Sequence, residues 1–222
     1  MLTDKNAVIF DLDGTLVDSM WVWRAVDDEF LARYNQVKPE DLESRMEGMS
    51  YREVAQLFLD SFPELPHDLT MIMDEWQEMT YTKYCEEVPL KPGVPEFLEA
   101  MKRAGKKMGI ATSNSEELAR AVLEARGIAS YFDAVCTADE ARKGKPAPDV
   151  YLLAAKKLAV LPERCLVFED VPMGILAGKN AGMQVCTVAD DFSKEQIQRK
   201  RELADYYITD YFDVMEGTFE II

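Results

Sequence analysis

The sequence predicts an α/β fold in which a parallel β-sheet forms the core and a helical module is inserted after the first strand. Short apolar runs recur along the chain, and most are followed by a segment with helical spacing, as expected when helices join parallel strands. The insertion is predicted because about 75 residues after the first run show helical spacing and no convincing strand. The predicted strands are Ala7–Phe10, Lys107–Ala111, Ala134–Thr137, Cys165–Phe168, Val185–Val188 and Tyr206–Ile208.

The chain length supports this division into two modules. At 222 residues, the chain can form one large domain and a smaller one, since single domains usually run to about 100–200 residues. We predict an α/β core domain from residues 1–15 and 88–222, and a helical-bundle cap domain from residues 16–87.

Charge and composition restrict the partners. The formal net charge of −16 argues against nucleic acid or an anionic membrane, because both bind clustered Lys and Arg. A small anionic metabolite stays compatible, because one lysine and a divalent cation can make a pocket locally positive. The sequence contains no run of about 18 apolar residues, so no membrane span is predicted. The four cysteines form no CxxC pair, which is typical of reduced thiols. We expect a cytoplasmic, monomeric protein.

Two aspartates follow the first predicted strand. Asp11 and Asp13 are spaced i and i+2, so both side chains point to one side if the extended geometry continues. They lie at the carboxyl end of the strand, where open α/β sheets bind ligands. Gly14 lets the backbone turn there and present N–H groups to an anion. Taken alone, this string is equally compatible with a surface turn.

Two later strand ends carry groups suited to phosphate. Thr112, Ser113 and Asn114 lead from a strand into a helix, where a hydroxyl, N–H groups and the helix dipole suit a phosphate oxygen. Lys145 lies between a glycine and two prolines, and a rigid loop limits the entropy lost when its long side chain is ordered. Taken alone, the first segment is better explained by helix capping, and the lysine by an ordinary loop.

A second acidic pair, Glu169 and Asp170, closes another apolar strand. Carboxylates from two strand ends that meet at one sheet edge form a hard oxygen site, which suits Mg²⁺ with water and substrate phosphate as its other ligands. Together with Asp11 and Asp13, this pair predicts a Mg²⁺ cofactor. Without the first acidic pair, a second acidic strand end would not predict a metal site.

The order of these four elements resembles the haloacid dehalogenase superfamily of phosphohydrolases along the whole chain. Within it, the chain is most similar to the beta-phosphoglucomutase and phosphoglycolate phosphatase-like group. The resemblance implies a Rossmann-like core with a small helical cap. It also implies a Mg²⁺-dependent phosphatase that hydrolyses small phosphorylated metabolites, as phosphate monoesters, through an aspartyl-phosphate intermediate.

The resemblance also implies a role for each motif residue. Asp11 corresponds to the nucleophile and Asp13 to the general acid and base. The metal would be held by Asp11, by the Asp13 carbonyl and by Asp170, with Glu169 adjacent or ligating. The residues implied to bind the phosphoryl oxygens are Gly14, Thr112, Ser113, Asn114 and Lys145.

Cap residues bear on the main alternative, a beta-phosphoglucomutase-type sugar phosphate mutase. The resemblance places a His and an Arg in a mutase cap, whereas this chain has Trp23 and Tyr51 there, with Arg52 displaced by one position. We therefore favour the phosphatase. Packing inside the cap would explain Trp21 and Trp23 at least as well as substrate contact. The predicted specificity residues are Trp23, Glu47, Met49, Tyr51 and Arg52.

Non-enzymatic functions fit the sequence less well. A phosphoacceptor signalling module also places an Asp at a strand end near Mg²⁺, Thr and Lys, but it lacks a helical cap and a partner such as Asp13. An inactive, metabolite-binding relative is disfavoured because every catalytic residue type is present. His67 is the only histidine and lies in a proline-rich connection, which argues against a His-based triad or a zinc site.

Overall fold

The computed structural model describes residues 1–46, 51–141 and 143–222, without the side chains of residues 43, 44, 51 and 53. The chain divides into two compact units, Met1–Met20 with Val88–Ile222, and Trp21–Glu87. None of the described helices combines the length and the apolar composition that crossing a membrane requires. Each unit is described separately below.

The first unit is built on seven strands, β1 (Ala7–Phe10), β2 (Lys107–Thr112), β3 (Ala134–Thr137), β4 (Cys165–Glu169), β5 (Gln184–Val188), β6 (Tyr206–Ile208) and β7 (Glu220–Ile221). They form one sheet in the order β3-β2-β1-β4-β5-β6-β7. All neighbours pair in parallel except β6 and β7. The first six strands have the Rossmann order, with β1 in the middle where the order reverses. The predicted fold class is confirmed.

Strand β7 is the element that the sequence analysis missed. It comprises Glu220–Ile221 and pairs antiparallel with β6 at the edge of the sheet. Both of its residues are exposed, so no alternation of apolar and polar residues marks it. Such a strand is defined by its pairing partner rather than by its own composition.

The helices are α1 (Val22–Arg33), α2 (Leu42–Met46), α3 (Tyr51–Ser61), α4 (Leu69–Glu86), α5 (Val94–Arg103), α6 (Glu116–Ala125), α7 (Ala138–Ala141), α8 (Asp149–Leu158), α9 (Pro172–Asn180), α10 (Ile197–Leu203) and α11 (Phe212–Glu216). Strand β1 is buried on both faces. On one face Ile9 joins an apolar cluster with residues of α8 and α9. On the other, Phe10 stacks on Phe168 at 5.4 Å and meets Phe97 of α5 edge-on at 6.1 Å. This double burial fixes the strand whose end carries Asp11.

The described elements of the second unit, Trp21–Glu87, are helices, as the spacing of its apolar residues predicts. Its core joins Phe30 of α1, Phe58 of α3 and Trp76 of α4, with ring centroids 4.7–6.3 Å apart. Trp21 and Trp23 are 36% and 38% exposed. The interpretation of these two tryptophans as cap core is therefore wrong.

Candidate active site

Three carboxylates meet at the carboxyl edge of the sheet. Asp11 directly follows β1, and its N–H donates to the Phe168 carbonyl of β4 at 3.0 Å, which extends the parallel ladder by one residue. Asp11 therefore lies beside the end of β4, where Glu169 and Asp170 follow. Oxygens of these three carboxylates all lie within 4.8 Å of one another, and all three residues are buried. The structure thus brings both predicted acidic strand ends together.

Lys145 neutralises part of this cluster. Its Nζ donates to Asp11 Oδ1 at 2.5 Å and to Glu169 Oε1 at 2.6 Å, and its side chain is 8% exposed. The Tyr151 hydroxyl donates to the same Glu169 oxygen at 2.7 Å. The other Glu169 oxygen accepts the two main-chain N–H groups that follow it. Glu169 is therefore fully hydrogen-bonded, and it holds the Lys145 ammonium against Asp11.

Asp170 presents one oxygen that the protein leaves open. Its Oδ1 accepts the Thr15 hydroxyl at 3.0 Å, whereas Oδ2 is buried and has no hydrogen-bond partner within the described ranges. A Cβ on Gly14 would lie 2.3 Å from this Oδ2, and Gly14 has a φ of +76°. Glycine is thus required both for the turn and for the space beside Asp170. A buried, unpartnered carboxylate oxygen is costly, and a divalent cation ligated by it fits the cluster.

When no cation is bound, the electrostatics of the cluster favour the protonated form of its carboxyl groups. Burial raises the pKa of Asp11 to about 7, with Lys145 opposing this rise. Burial and the neighbouring Glu169 also raise the pKa of Asp170 well above its usual range. Burial alone would lower the pKa of Lys145, but Asp11 and Glu169 raise it above its usual value. Lys145 therefore stays charged, while a bound cation must displace protons from the carboxylates.

We expect the affinity of the carboxylate cluster for a divalent cation to depend on pH. Because the pKa of Asp11 is raised to about 7, the apparent affinity of the metal-stripped protein should fall at least about tenfold for each pH unit below 7. Isothermal titration calorimetry in buffers of different ionisation enthalpy would measure both the affinity and the protons released. Equal affinities on the two sides of this pKa, with no proton release, would contradict the expectation.

Asp13 is held through both carboxylate oxygens. The Ser19 hydroxyl donates to Oδ1 at 2.6 Å, and the Asn114 side-chain amide donates to Oδ2 at 3.1 Å. The Asn114 side-chain oxygen in turn accepts the N–H of Ser115 at 2.8 Å. Asn114, predicted as a phosphate ligand, therefore connects the end of β2 to the predicted acid and base.

The other predicted phosphate ligands lie at the same edge of the sheet. The buried Thr112 Oγ1 accepts the N–H of Asn114 at 2.9 Å, which leaves its own proton free to donate. Ser113 is exposed. The N–H of Gly14 donates to the Val17 carbonyl at 2.9 Å, so this donor is used within its own turn. Phosphate binding by these groups stays a prediction.

The predicted specificity residues belong to the second unit. Trp23 in α1 and Arg52 in α3 are both exposed. Glu47 and Met49 lie outside the described residues, as does the side chain of Tyr51. Their roles stay predictions.

Several residues that touch the site were not predicted from the sequence. Thr15 and Ser19 follow the first aspartate motif, and their hydroxyls reach Asp170 and Asp13. Tyr151 lies in the first turn of α8, six residues after Lys145. A tyrosine within an apolar helix face is a detectable signal, because a buried hydroxyl requires a polar partner.

A family model described as haloacid dehalogenase-like hydrolase matches residues 8–188. The chain belongs to this family. The hydrolase is 33% identical over 179 residues to the phosphorylated carbohydrates phosphatase of Thermotoga maritima, covering 81% of this chain and 82% of that one. It is 32% identical over 183 residues to the fructose-1-phosphate phosphatase YqaB of Escherichia coli, covering 82% and 95%. The resemblance inferred from the motifs is confirmed, and the chain is an enzyme of a family whose similar members include named phosphatases.

Solved structures agree with the family assignment. The hydrolase superposes with a TM-score of 0.81 on a Thermotoga maritima protein provisionally described as a beta-phosphoglucomutase. The two are 28% identical, and the superposition covers 96% of this chain and 98% of that one. This neighbour fits the mutase alternative as well as the phosphatase, so the fold alone does not separate the two reactions.

Proposed function

We propose that this hydrolase is a Mg²⁺-dependent phosphatase of small phosphorylated metabolites, with sugar phosphates as the preferred class. One observation carries the proposal. Asp11 is paired with the Lys145 ammonium at 2.5 Å, in a cluster that also holds the open oxygen of Asp170. An anionic nucleophile attacks a phosphate dianion only where positive charge cancels their repulsion. The substrate class follows from relatives named for phosphorylated carbohydrates and fructose 1-phosphate.

In the first step, a carboxylate oxygen of Asp11 forms a bond to phosphorus as the bond from phosphorus to the ester oxygen breaks. Asp13 donates a proton to the departing oxygen, so the alcohol leaves neutral. Lys145 remains protonated and stabilises the charge that spreads over the phosphoryl oxygens. The products of this step are the free alcohol and an aspartyl phosphate at Asp11.

In the second step, water attacks the phosphorus of the aspartyl phosphate. Asp13, now anionic, accepts a proton from this water, and the Asp11 carboxylate leaves. Inorganic phosphate is released and both aspartates return to their starting protonation states. General acid and base catalysis of this kind contributes roughly 10²–10⁴-fold. Ser19 and Asn114, which hold Asp13 at 2.6 and 3.1 Å, fix the carboxyl group for both transfers.

The cation site would be formed by the carboxylates of Asp11 and Asp170 and by the carbonyl of Asp13. Bound Mg²⁺ would supply positive charge to the nonbridging phosphoryl oxygens and orient them for in-line attack. The family resemblance leaves open whether Glu169 ligates the metal or only lies beside it. We favour the second role, because the Glu169 oxygens already accept hydrogen bonds from Lys145, Tyr151 and main-chain N–H groups. Oxygen-only ligands with few protein donors favour Mg²⁺.

The phosphoryl group would be bound by the predicted set at the end of β2 together with Lys145. The Thr112 hydroxyl, with its proton free to donate, is the strongest candidate among the uncharged groups. Ser113, Asn114 and Gly14 complete the set, with the main-chain N–H of Ser113 as the donor at the helix N-terminus.

We propose that the two compact units act as a core domain and a helical cap domain. The core supplies the reaction, and the cap, Trp21–Glu87, supplies the residues that select the leaving group, with Trp23 and Arg52 among them. We propose that the protein is a cytoplasmic monomer. Its net charge of −16 favours small metabolites over nucleic acid or membranes as partners.

Phosphatase and mutase are distinguished by the fate of the phosphoryl group. We expect purified enzyme with Mg²⁺, supplied with beta-glucose 1-phosphate and a trace of the 1,6-bisphosphate, to release free phosphate as the main product. Trp23 and Tyr51 offer no formal charge where a mutase has His and Arg. Glucose 6-phosphate and phosphate are followed together, and a panel of other sugar phosphates gives the substrate range. Rapid glucose 6-phosphate formation with negligible phosphate release would establish the mutase instead.

A further inference from the structure

Lys200 is a fully buried lysine near the acidic cluster. It lies in α10 with 0% exposure, and its Nζ donates to the Val188 carbonyl at 3.1 Å and to Ser193 Oγ at 3.0 Å. Both acceptors are uncharged. Burying an ammonium group is costly, so a lysine in this position requires a compensating field.

Ser193 connects this lysine to the acidic cluster. Ser193 is 2% exposed, and its Oγ donates to the main-chain carbonyl of Asp170 at 2.8 Å. A hydroxyl has one proton. Because Ser193 gives that proton to Asp170, it must accept from Lys200, and the direction of the chain Lys200–Ser193–Asp170 is fixed.

Asp170 is consequently held at three of its polar groups. Its N–H donates to Glu169 Oε2 at 3.1 Å, its Oδ1 accepts the Thr15 hydroxyl at 3.0 Å, and its carbonyl accepts Ser193. The remaining group is Oδ2, which is buried and without a hydrogen-bond partner among the residues described. The three contacts hold that oxygen in place beside Asp11.

The charges surrounding Lys200 agree with this connection. Burial lowers the pKa of Lys200, while the carboxylates of Asp170 and Asp190 raise it. Asp190 is itself buried and paired with Lys91. The hydrogen bonds and the surrounding charges thus both connect Lys200 to Asp170.

We propose that Ser193 and Lys200 are positioning residues that hold Asp170 for the divalent cation and thereby set its affinity. The inference rests on the proposed metal site. Groups that orient a metal ligand typically change metal affinity by about 10–100-fold when they are removed. Neither residue touches the reacting atoms in this assignment, so their loss should weaken cation binding and leave turnover at saturating Mg²⁺ largely intact.

The test compares Ser193→Ala and Lys200→Met with a matched control, Lys5→Met. Lys5 is also a buried lysine, 3% exposed, that donates to a main-chain carbonyl, that of Glu163 at 2.8 Å, but it precedes β1 at the opposite edge of the sheet. Mg²⁺ binding to the metal-stripped full chain is measured by calorimetry and by the Mg²⁺-dependent rise in Tm. We expect about 10–100-fold weaker binding for Ser193→Ala and Lys200→Met, and unchanged binding for Lys5→Met.

The double variant tests the hydrogen-bonded path from Lys200 through Ser193 to Asp170. If both residues act through one path, Ser193→Ala combined with Lys200→Met should weaken binding by less than the product of the two single effects. Wild-type affinity in Ser193→Ala, with Mg²⁺ binding intact in the wild type, would overturn the inference and leave the proposed function standing. Failure of the wild type to bind Mg²⁺ would overturn both.

Discussion

Asp11→Asn is expected to reduce turnover on the order of 10⁴–10⁶-fold, the loss seen when a covalent nucleophile is removed. The substitution keeps the shape of the side chain and removes the charge that attacks phosphorus. It also removes a buried carboxylate whose pKa is raised to about 7, so the folded protein should be at least as stable at neutral pH. Phosphate release from the best substrate of the panel measures the effect.

A matched control separates this loss from a general effect of removing a carboxylate. Asp133 lies in the same unit and pairs with Lys107 at 2.9 Å, so Asp133→Asn removes a paired carboxylate away from the site. We expect this control to retain turnover. Mass spectrometry of acid-quenched wild-type enzyme should find a phosphorylated peptide containing Asp11. Near-normal turnover in folded Asp11→Asn would exclude the covalent mechanism.

Lys145→Met is expected to cause a comparable loss together with a loss of stability. Without the ammonium, the phosphate dianion meets the buried carboxylates without the positive charge that Lys145 supplies, and turnover should fall at least about 10³-fold. Breaking a buried ion pair by removing one partner costs about 3–5 kcal/mol. Urea unfolding of the metal-stripped protein measures this second effect.

The stability loss in Lys145→Met should depend on pH. Removing Lys145 removes the contact that lowers the pKa of Asp11, so this pKa rises further. A carboxyl group with a raised pKa contributes stability below its unfolded pKa and loses that contribution as pH rises through the folded value. The variant should therefore be closest to wild type in acid and weakest above neutral pH.

The control for this prediction is Lys179→Met. Lys179 pairs with Asp205 at 2.6 Å and its side chain is 37% exposed, so its removal should cost no more than about 1 kcal/mol at any of these pH values. If Lys145→Met lost no more stability than Lys179→Met and retained turnover, the assigned role of Lys145 would be wrong.

The strands of the parallel sheet and the position of its reactive edge could be predicted from the sequence. A buried parallel strand is a short apolar run bounded by polar, glycine or proline residues, so β1, β3 and β6 match their predicted bounds and β2, β4 and β5 differ by one residue. Once the strands are parallel, their carboxyl ends share one edge. The meeting of Asp11 and Glu169 follows from that topology, because each directly follows the last residue of a predicted strand.

Tertiary structure decided how the side chains at that edge are used. Asn114 reaches Asp13 and Tyr151 reaches Glu169 because the geometry between strand ends and helices brings them within hydrogen-bond distance. Gly14 leaves space for an oxygen of a residue 156 positions later. No local propensity encodes such contacts.

Ser193 and Lys200 are the clearest example of contacts that local sequence does not predict. Both residues lie in a polar stretch of the sequence, yet the fold buries their side chains, and Ser193 donates to Asp170 while it accepts from Lys200. Local patterns encode which residues lie on strands and where strands end, because burial and turn chemistry act on neighbours in the chain. The partner of a buried polar group is chosen by packing between distant segments, and only the folded chain specifies it.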